Sequence, residues 1–404
     1  MRERYFKTAG SLYINYFLFG MVNIILASHM SFLTEQLNTD KAGISFLISA
    51  MGMGRLATLY ISGILSDRFG RKPFIILACL LMLVFLAGIP LSQSYEITIV
   101  LAVLAGVANS LLDSGTYPAL MEAFPKAPGS ATVLVRGVIS IGSTLLPLII
   151  VYFMDHDIFY GMAFFIPAGI FLINALFLMK LTFPNQIKID TKIATSVKNL
   201  KIQNKPKFCY EGIFLILIGF SGPALLYIIQ MWLPTFGQEV IGMTEADSLK
   251  LLSYYSIGSL VSVGTLVVVL HRYVKPVTVI LIYPIISIIA FISLLLFTNS
   301  IMIVFCSFII GFSISGVLQL GLTVMGDFFG AKKGQITGLM YTSTSVAYTV
   351  IPLITGSLIK TGNVTSIFFI AIGINFVGIV LALFVNYRYA VVFSNKSIWL
   401  KNSK

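Results

Sequence analysis

The sequence predicts an all-α polytopic membrane protein of twelve transmembrane helices in two six-helix halves. Three observations carry this. Charged residues make up 10% of the 404, hydrophobic ones 57%, and the mean hydropathy is +0.95, too little polar surface for a water-soluble fold. Apolar runs of the roughly 20 residues needed to cross a bilayer recur along nearly the whole chain. The third is a repeat: Glu122, Phe124, Gly129, Thr144, Pro147 and Leu148 return 205 residues later as Asp327, Phe329, Gly334, Thr349, Pro352 and Leu353. A parallel repeat of six-helix units encloses a central site near the midplane.

The first run, about 10–33, follows Arg2, Arg4 and Lys7 and passes Leu33 without a small-residue cleavage site, so it reads as a span and not a removed signal. The second, 43–65, leads into a charged reversal, Gly63 to Lys72, and the third covers 73–92. Spans at 97–120, 130–153 and 159–180 complete the first half, residues 1–184. Residues 185–208 are basic and polar and read as a linker. The second half, 209–404, holds spans at 209–232, 248–270, 277–297, 301–325, 335–359 and 364–386 and a short tail.

An even number of spans puts both termini on one side. Most of the 27 basic residues lie in the termini, the linker and the loops of one parity, among them Arg68, Arg71, Lys72, Lys126, Arg272, Lys275, Lys332 and Lys333. The other loops are acidic, with Glu35, Asp40, Asp155, Asp157, Glu239 and Asp247. Basic loops face the cytoplasm, so both termini are expected there, in the cell (plasma or inner) membrane. The net charge of +12 is thereby explained without nucleic acid. Cys79, Cys209 and Cys306 lack paired spacing, so no metal, disulfide or other cofactor is expected. No phosphate-binding glycine loop, HExxH or GxSxG pattern occurs, which argues against an ATPase or an enzyme.

Gly63, Asp67, Arg68, Gly70, Arg71 and Lys72 fill every fixed place of Gly-x-x-x-Asp-Arg-x-Gly-Arg-Lys between spans two and three. With twelve spans, the 6+6 repeat and the basic central segment, this resembles the major facilitator superfamily over the whole chain. A closer likeness is to the YdiN-type inner-membrane transporters of bacteria, carried by Ala108-Asn109-Ser110, Tyr117-Pro118-Ala119-Leu120-Met121-Glu122 and Leu318-Gln319-Leu320-Gly321. The resemblance implies a secondary transporter, with the signature as a conformational latch. Asp67 is expected to meet the start of span eleven near Gly334 and Gln335. Span four lacks the Arg often found there, and span five reads Gly142 to Pro147 without the Gly-Pro pair of drug exporters.

Ionisable groups within a membrane mark function by default. Arg55, Asp113 and Arg136 sit at similar depth in the first half, and His29 lies near the outer end of span one. Polar stripes run through Asn109, Asp113 and Tyr117, through Arg136, Ser140, Thr144 and Pro147, and through Ser45, Ser49, Gly52 and Arg55. Asn23, Gln230 and Gln319 are further candidates for a shared cavity. Asp113 pairs with Arg136 or Arg55, either as a helix lock or as part of a site; two cations facing one acid favour a substrate carboxylate. His29 and Trp232 read as interfacial, Asn174 and Asn375 as packing residues, and Gly52, Gly54, Gly137, Gly142, Gly311 and Gly316 as points of close helix contact.

The expected function is secondary transport of a small solute by alternating access, as proton-coupled uptake of an anionic or zwitterionic metabolite of the hydroxy or aromatic acid class. Efflux of a drug-like compound and a non-transporting receptor or scaffold are the alternatives. The expected partners are substrate, protons and the lipid bilayer, for a monomer.

Overall fold

In a computed structural model, residues 5–124, 128–184, 206–272, 274–329, 333–360 and 362–393 are described. The described chain is helical. The first half comprises α1 (Phe6–Ser28), the short α2 (Met30–Gln36), α3 (Lys41–Phe69), α4 (Arg71–Leu91), α5 (Tyr95–Ala123), α6 (Pro128–Asp155) and α7 (Met162–Lys180). The second comprises α8 (Ile213–Glu239), α9 (Glu245–Arg272), α10 (Pro276–Leu296), α11 (Ser300–Ile314), α12 (Val317–Phe328), α13 (Lys333–Ile359) and α14 (Val364–Phe393). A π turn at Phe208–Gly212 precedes α8. Most of the expected linker, residues 185–205, lies outside the described residues, as do Lys126 and Lys332.

Among the described residues, eleven helical segments are long and apolar enough to cross a membrane, α11 and α12 together counting as one. The 28-residue α9, the eighth span, is also long enough to cross; its first turns carry Glu245, Asp247 and Lys250, and its later turns are apolar with several serines. The tenth span is broken. Gly316, at φ +88°, is a left-handed residue between α11 and α12, a conformation that only glycine adopts without cost.

The signature is not a ten-residue turn. Helix α3 continues to Phe69, and Gly70, at φ +93°, is the single residue between it and α4. An aspartate, a serine and an asparagine start other helices by accepting a backbone N–H: Asp40 from Gly43 at 2.8 Å, Ser94 from Ile97 at 3.3 Å and Asn299 from Ile301 at 2.9 Å.

Helix α3 packs on α5 within its own half and on α13 of the other; α6 packs on α1 and on α9. Small residues permit both seams. A Cβ at Gly52 would lie 2.6 Å from the Thr349 nitrogen and 2.7 Å from the Tyr348 carbonyl, and Gly54, Gly142 and Gly311 likewise abut the backbones of Val103, Phe17 and Tyr255. Gly137 does not serve this purpose: the nearest atom to a Cβ there is 3.9 Å away. Gly316 is the helix break and also a close contact, since a Cβ there would lie 2.5 Å from Leu266 Cδ1 of α9.

Bonds between the halves gather at the end remote from the termini. Ser45 donates to the Pro352 carbonyl, Ser49 to the Thr349 carbonyl at 2.6 Å and Ser253 to the Thr144 carbonyl at 2.8 Å. Around this seal Lys41 pairs with Glu239, and Asp40 faces Lys360 at 3.9 Å. Ser45 and Ser49 therefore belong to the seam, not to the cavity that their stripe with Arg55 predicted.

Candidate functional site

Between the halves lies a cavity of about 420 Å³. Its lining reaches from Asn23 and Gln230 in mid-helix to Leu270 and Thr323 in the last turns of α9 and α12, at the end where the termini lie. The cavity thus extends toward one end of the molecule while the other is sealed.

Among the described residues three charged side chains line it: Arg55 of α3, Asp113 of α5 and Arg136 of α6. Arg55 Nη2 donates to Asp113 Oδ2 at 2.9 Å. The other carboxylate oxygen accepts from the Tyr16 hydroxyl of α1 at 2.5 Å, so three helices of one half converge on Asp113. Of the two arginines, Arg55 is the partner. Close backbone approach makes this possible, since a Cβ at Gly106 of α5 would strike Met51 and Arg55 of α3. Tyr16 is fully buried and its ring meets Tyr117 edge-on at 5.6 Å. Sequence reasoning missed Tyr16; its seven-residue spacing from Asn23, two turns on one face, was the available signal.

Arg136 has a different environment. In the amide orientation that satisfies both groups, the Gln319 side-chain oxygen of α12 accepts from Arg136 Nε at 2.6 Å and Nη2 at 3.0 Å. This contact bridges the halves. Tyr341 also lines the cavity, 6.4 Å from the Tyr117 ring, and it stands at the 205-residue repeat position of Arg136. Tyr227 lies within electrostatic reach of both guanidiniums.

Of the other candidates, Asn23, Tyr117, Gln230 and Gln319 line the cavity and Asn109 does not: it is buried beside it, with Oδ1 unpartnered. Gln230 Oε1 also lacks a protein partner. His29, at the outer end of α1, is buried beneath neighbouring side chains, and its Nδ1 bonds the Ile25 carbonyl at 2.8 Å. Trp232 is fully buried and cannot anchor at a membrane surface. Asn174 and Asn375 do bond neighbouring helices, Asn174 to Ser11 and Asn15, Asn375 to Pro284 and Ser287.

The signature residues form a separate structural knot. Arg71 pairs with Asp67 and reaches Glu122 of α5 at 3.5 Å and Ser66 Oγ at 3.3 Å. Lys72 donates to the Met179 and Leu181 carbonyls at 2.8 and 2.9 Å, matching a cation to the carboxyl end of α7. Arg68 lies 5.4 Å from the Phe69 ring centroid, and a side chain at Gly63 would meet open space. The expected contact of Asp67 with the amino-terminal end of span eleven, near Gly334 and Gln335, falls where the side chains are outside the description. A further, part-buried ion pair went unpredicted: Arg388 of α14 donates to Glu211 Oε1 from Nε at 2.8 Å and Nη2 at 2.5 Å.

The model of the Major Facilitator Superfamily matches residues 12–292 and 270–397. The chain belongs to this superfamily. It is 47% identical over 389 residues to the MFS-type transporter YfkL of Bacillus subtilis, covering 96% of this chain and 98% of that one. It is 39% identical over 394 residues to the inner membrane transport protein YdiM of Escherichia coli, covering 96% of each, and 37% identical to YdiN of the same organism, covering 95% of this chain and 90% of that one. Crystal structures of the nucleoside transporter NupG and of a D-xylose-proton symporter share the fold, with TM-scores of 0.74 and 0.73 at 16% and 13% identity. The alignments cover 93% of this chain and 99% of NupG, and 95% and 97% for the symporter pair. The chain is a multi-pass membrane protein and a secondary transporter, not an enzyme. The likeness to YdiN expected from sequence is present.

Proposed function

We propose that this transporter takes up a small organic anion or zwitterion together with protons, across the inner membrane, with both termini in the cytoplasm. One observation carries the reading. Asp113 is engaged by Arg55 and Tyr16, while the guanidinium of Arg136 faces a neutral amide. The charged lining residues are two cations and one anion. A guanidinium without a counter-charge in a low-dielectric cavity is costly, and a substrate carboxylate held bidentately removes that cost. Tyr117, Tyr227 and Tyr341 supply hydroxyls and aromatic faces for the rest of a hydroxy or aromatic acid.

Coupling follows from competition. A proton on Asp113 neutralises the partner of Arg55 and frees that guanidinium to join Arg136 on the substrate; loss of the proton restores the pair and favours release. With the termini cytoplasmic, the sealed end faces outward and the cavity faces the cytoplasm, the releasing side of an uptake cycle. The halves exchange these positions by rocking about the central site.

The test begins with a metabolite screen on the purified protein by thermal shift, followed by counterflow and pH-gradient-driven uptake in proteoliposomes. Asp113→Asn is expected to keep counterflow and lose gradient-driven accumulation. Undiminished accumulation excludes Asp113 as the coupling group, and hits confined to cationic or drug-like compounds favour export instead.

A further inference from the structure

A second cavity, of about 410 Å³, lies at the sealed end of the first half. It is bounded by the corner between α1 and α2, the last turns of α6 and the segment leading into α7. It shares no lining residue with the central cavity. Rings dominate its wall. Phe32 and Tyr160 stack with centroids 5.2 Å apart and planes 9° apart, Phe159 leans on Tyr160 at 4.9 Å, and Phe153 and His29 complete the set.

Its polar side chains are His29, Asp157 and Tyr160, whose hydroxyl can donate or accept. The His29 tautomer that lets Nδ1 donate to the Ile25 carbonyl leaves Nε2 as a lone-pair acceptor, and that nitrogen is buried without a protein partner. Asp157 is the charged residue of the lining, exposed at its rim on a left-handed backbone, φ +51°. The charge balance is thus opposite to that of the central cavity, where cations outnumber the acid.

We infer that this cavity binds an organic ammonium group. Ring faces attract a cation through their quadrupoles, and the carboxylate supplies the counter-charge. An anion would meet π-electron density and the Asp157 carboxylate, with the Tyr160 hydroxyl as the side-chain donor of the lining. Phe159 is 51% and Ile158 38% exposed beside the cavity, which presents it to the boundary of the bilayer where phospholipid headgroups lie. The ammonium group therefore has two sources, the headgroup of phosphatidylethanolamine or a free amine.

The experiment titrates the full-length detergent-purified protein with phosphatidylethanolamine, phosphatidylglycerol or free ethanolamine, read by native mass spectrometry and thermal shift. Asp157→Asn and Tyr160→Leu are compared with the unmodified chain. Binding of at least one of the two amines is expected to weaken roughly tenfold in each variant, the size of a desolvated cation–π contact. Saturation by the lipid alone identifies the headgroup as the source, and equal response to free ethanolamine identifies a soluble amine. Phosphatidylglycerol binding as tightly as phosphatidylethanolamine, or Asp157→Asn leaving amine binding unchanged, overturns the proposal.

Discussion

Arg136 of the first half donates two hydrogen bonds, at 2.6 and 3.0 Å, to the side-chain oxygen of Gln319 in the second. The contact joins the two bodies that must move against each other, and it does so with a neutral partner that a carboxylate can outcompete. Gln319→Glu is therefore expected to satisfy Arg136 internally. Substrate affinity should fall at least about tenfold, the effect of losing one charge-assisted bond, while the unliganded protein melts no lower. A thermal-shift titration checks both; unchanged affinity excludes Arg136 as the carboxylate anchor.

Tyr16→Phe removes the short hydrogen bond to Asp113 and leaves the ring contacts with Phe19 and Tyr117 in place. A bond to a charged acceptor contributes roughly 1.5–3 kcal/mol, so a clear fall in melting temperature is expected. Accumulation under a pH gradient should fall further than counterflow, because the Tyr16 hydroxyl is spent on Asp113 although its side chain lines the cavity.

In the signature, burial ranks the residues. The Arg71 side chain is 11% exposed and Glu122 4%, whereas Asp67 is 70% exposed. Arg71→Gln strands Glu122 and is expected to destabilise by about 3–5 kcal/mol. Asp67→Asn should cost no more than about 1 kcal/mol and alter transport rate more than substrate affinity. Denaturation midpoints and counterflow kinetics separate the two; a selective loss of binding in Asp67→Asn would refute the latch.

Gly52→Val places methyl groups where the Tyr348 and Thr349 backbones now lie. The sealed end cannot then close, and the population should shift toward the opposite conformation. A cysteine placed at Ser45, in a background lacking Cys79, Cys209 and Cys306, should become markedly more reactive to an impermeant thiol reagent in the Gly52→Val protein. Equal labelling with and without the substitution would show that the seam does not set the equilibrium.

The twelve spans were legible because each apolar run is long enough to cross a bilayer and is bounded by charges or glycines. The paired signature glycine was legible too, yet its local structure was not: Gly63 to Phe69 is helical because nothing in that stretch breaks a helix until Gly70. The tenth span looked continuous since Ser315-Gly316 reads as an ordinary small pair; its left-handed break appears only in the backbone. His29 and Trp232, placed near outer ends by counting, are buried because neighbouring helices cover them there.

By itself the sequence determined the membrane class, the family, the repeat and the level of Arg55, Asp113 and Arg136, because hydropathy, spacing and charge are local properties of the chain. Which arginine takes Asp113, that Tyr16 joins it, that Asn109 faces away and that Gln319 holds Arg136 were decided only by the tertiary structure. Helical periodicity shows which residues share a face. How far each helix is rotated, and which neighbour that face meets, depends on packing between segments far apart in the chain. Tyr16 meets Asp113, and Arg136 meets Gln319, because α1, α5, α6 and α12 surround one cavity.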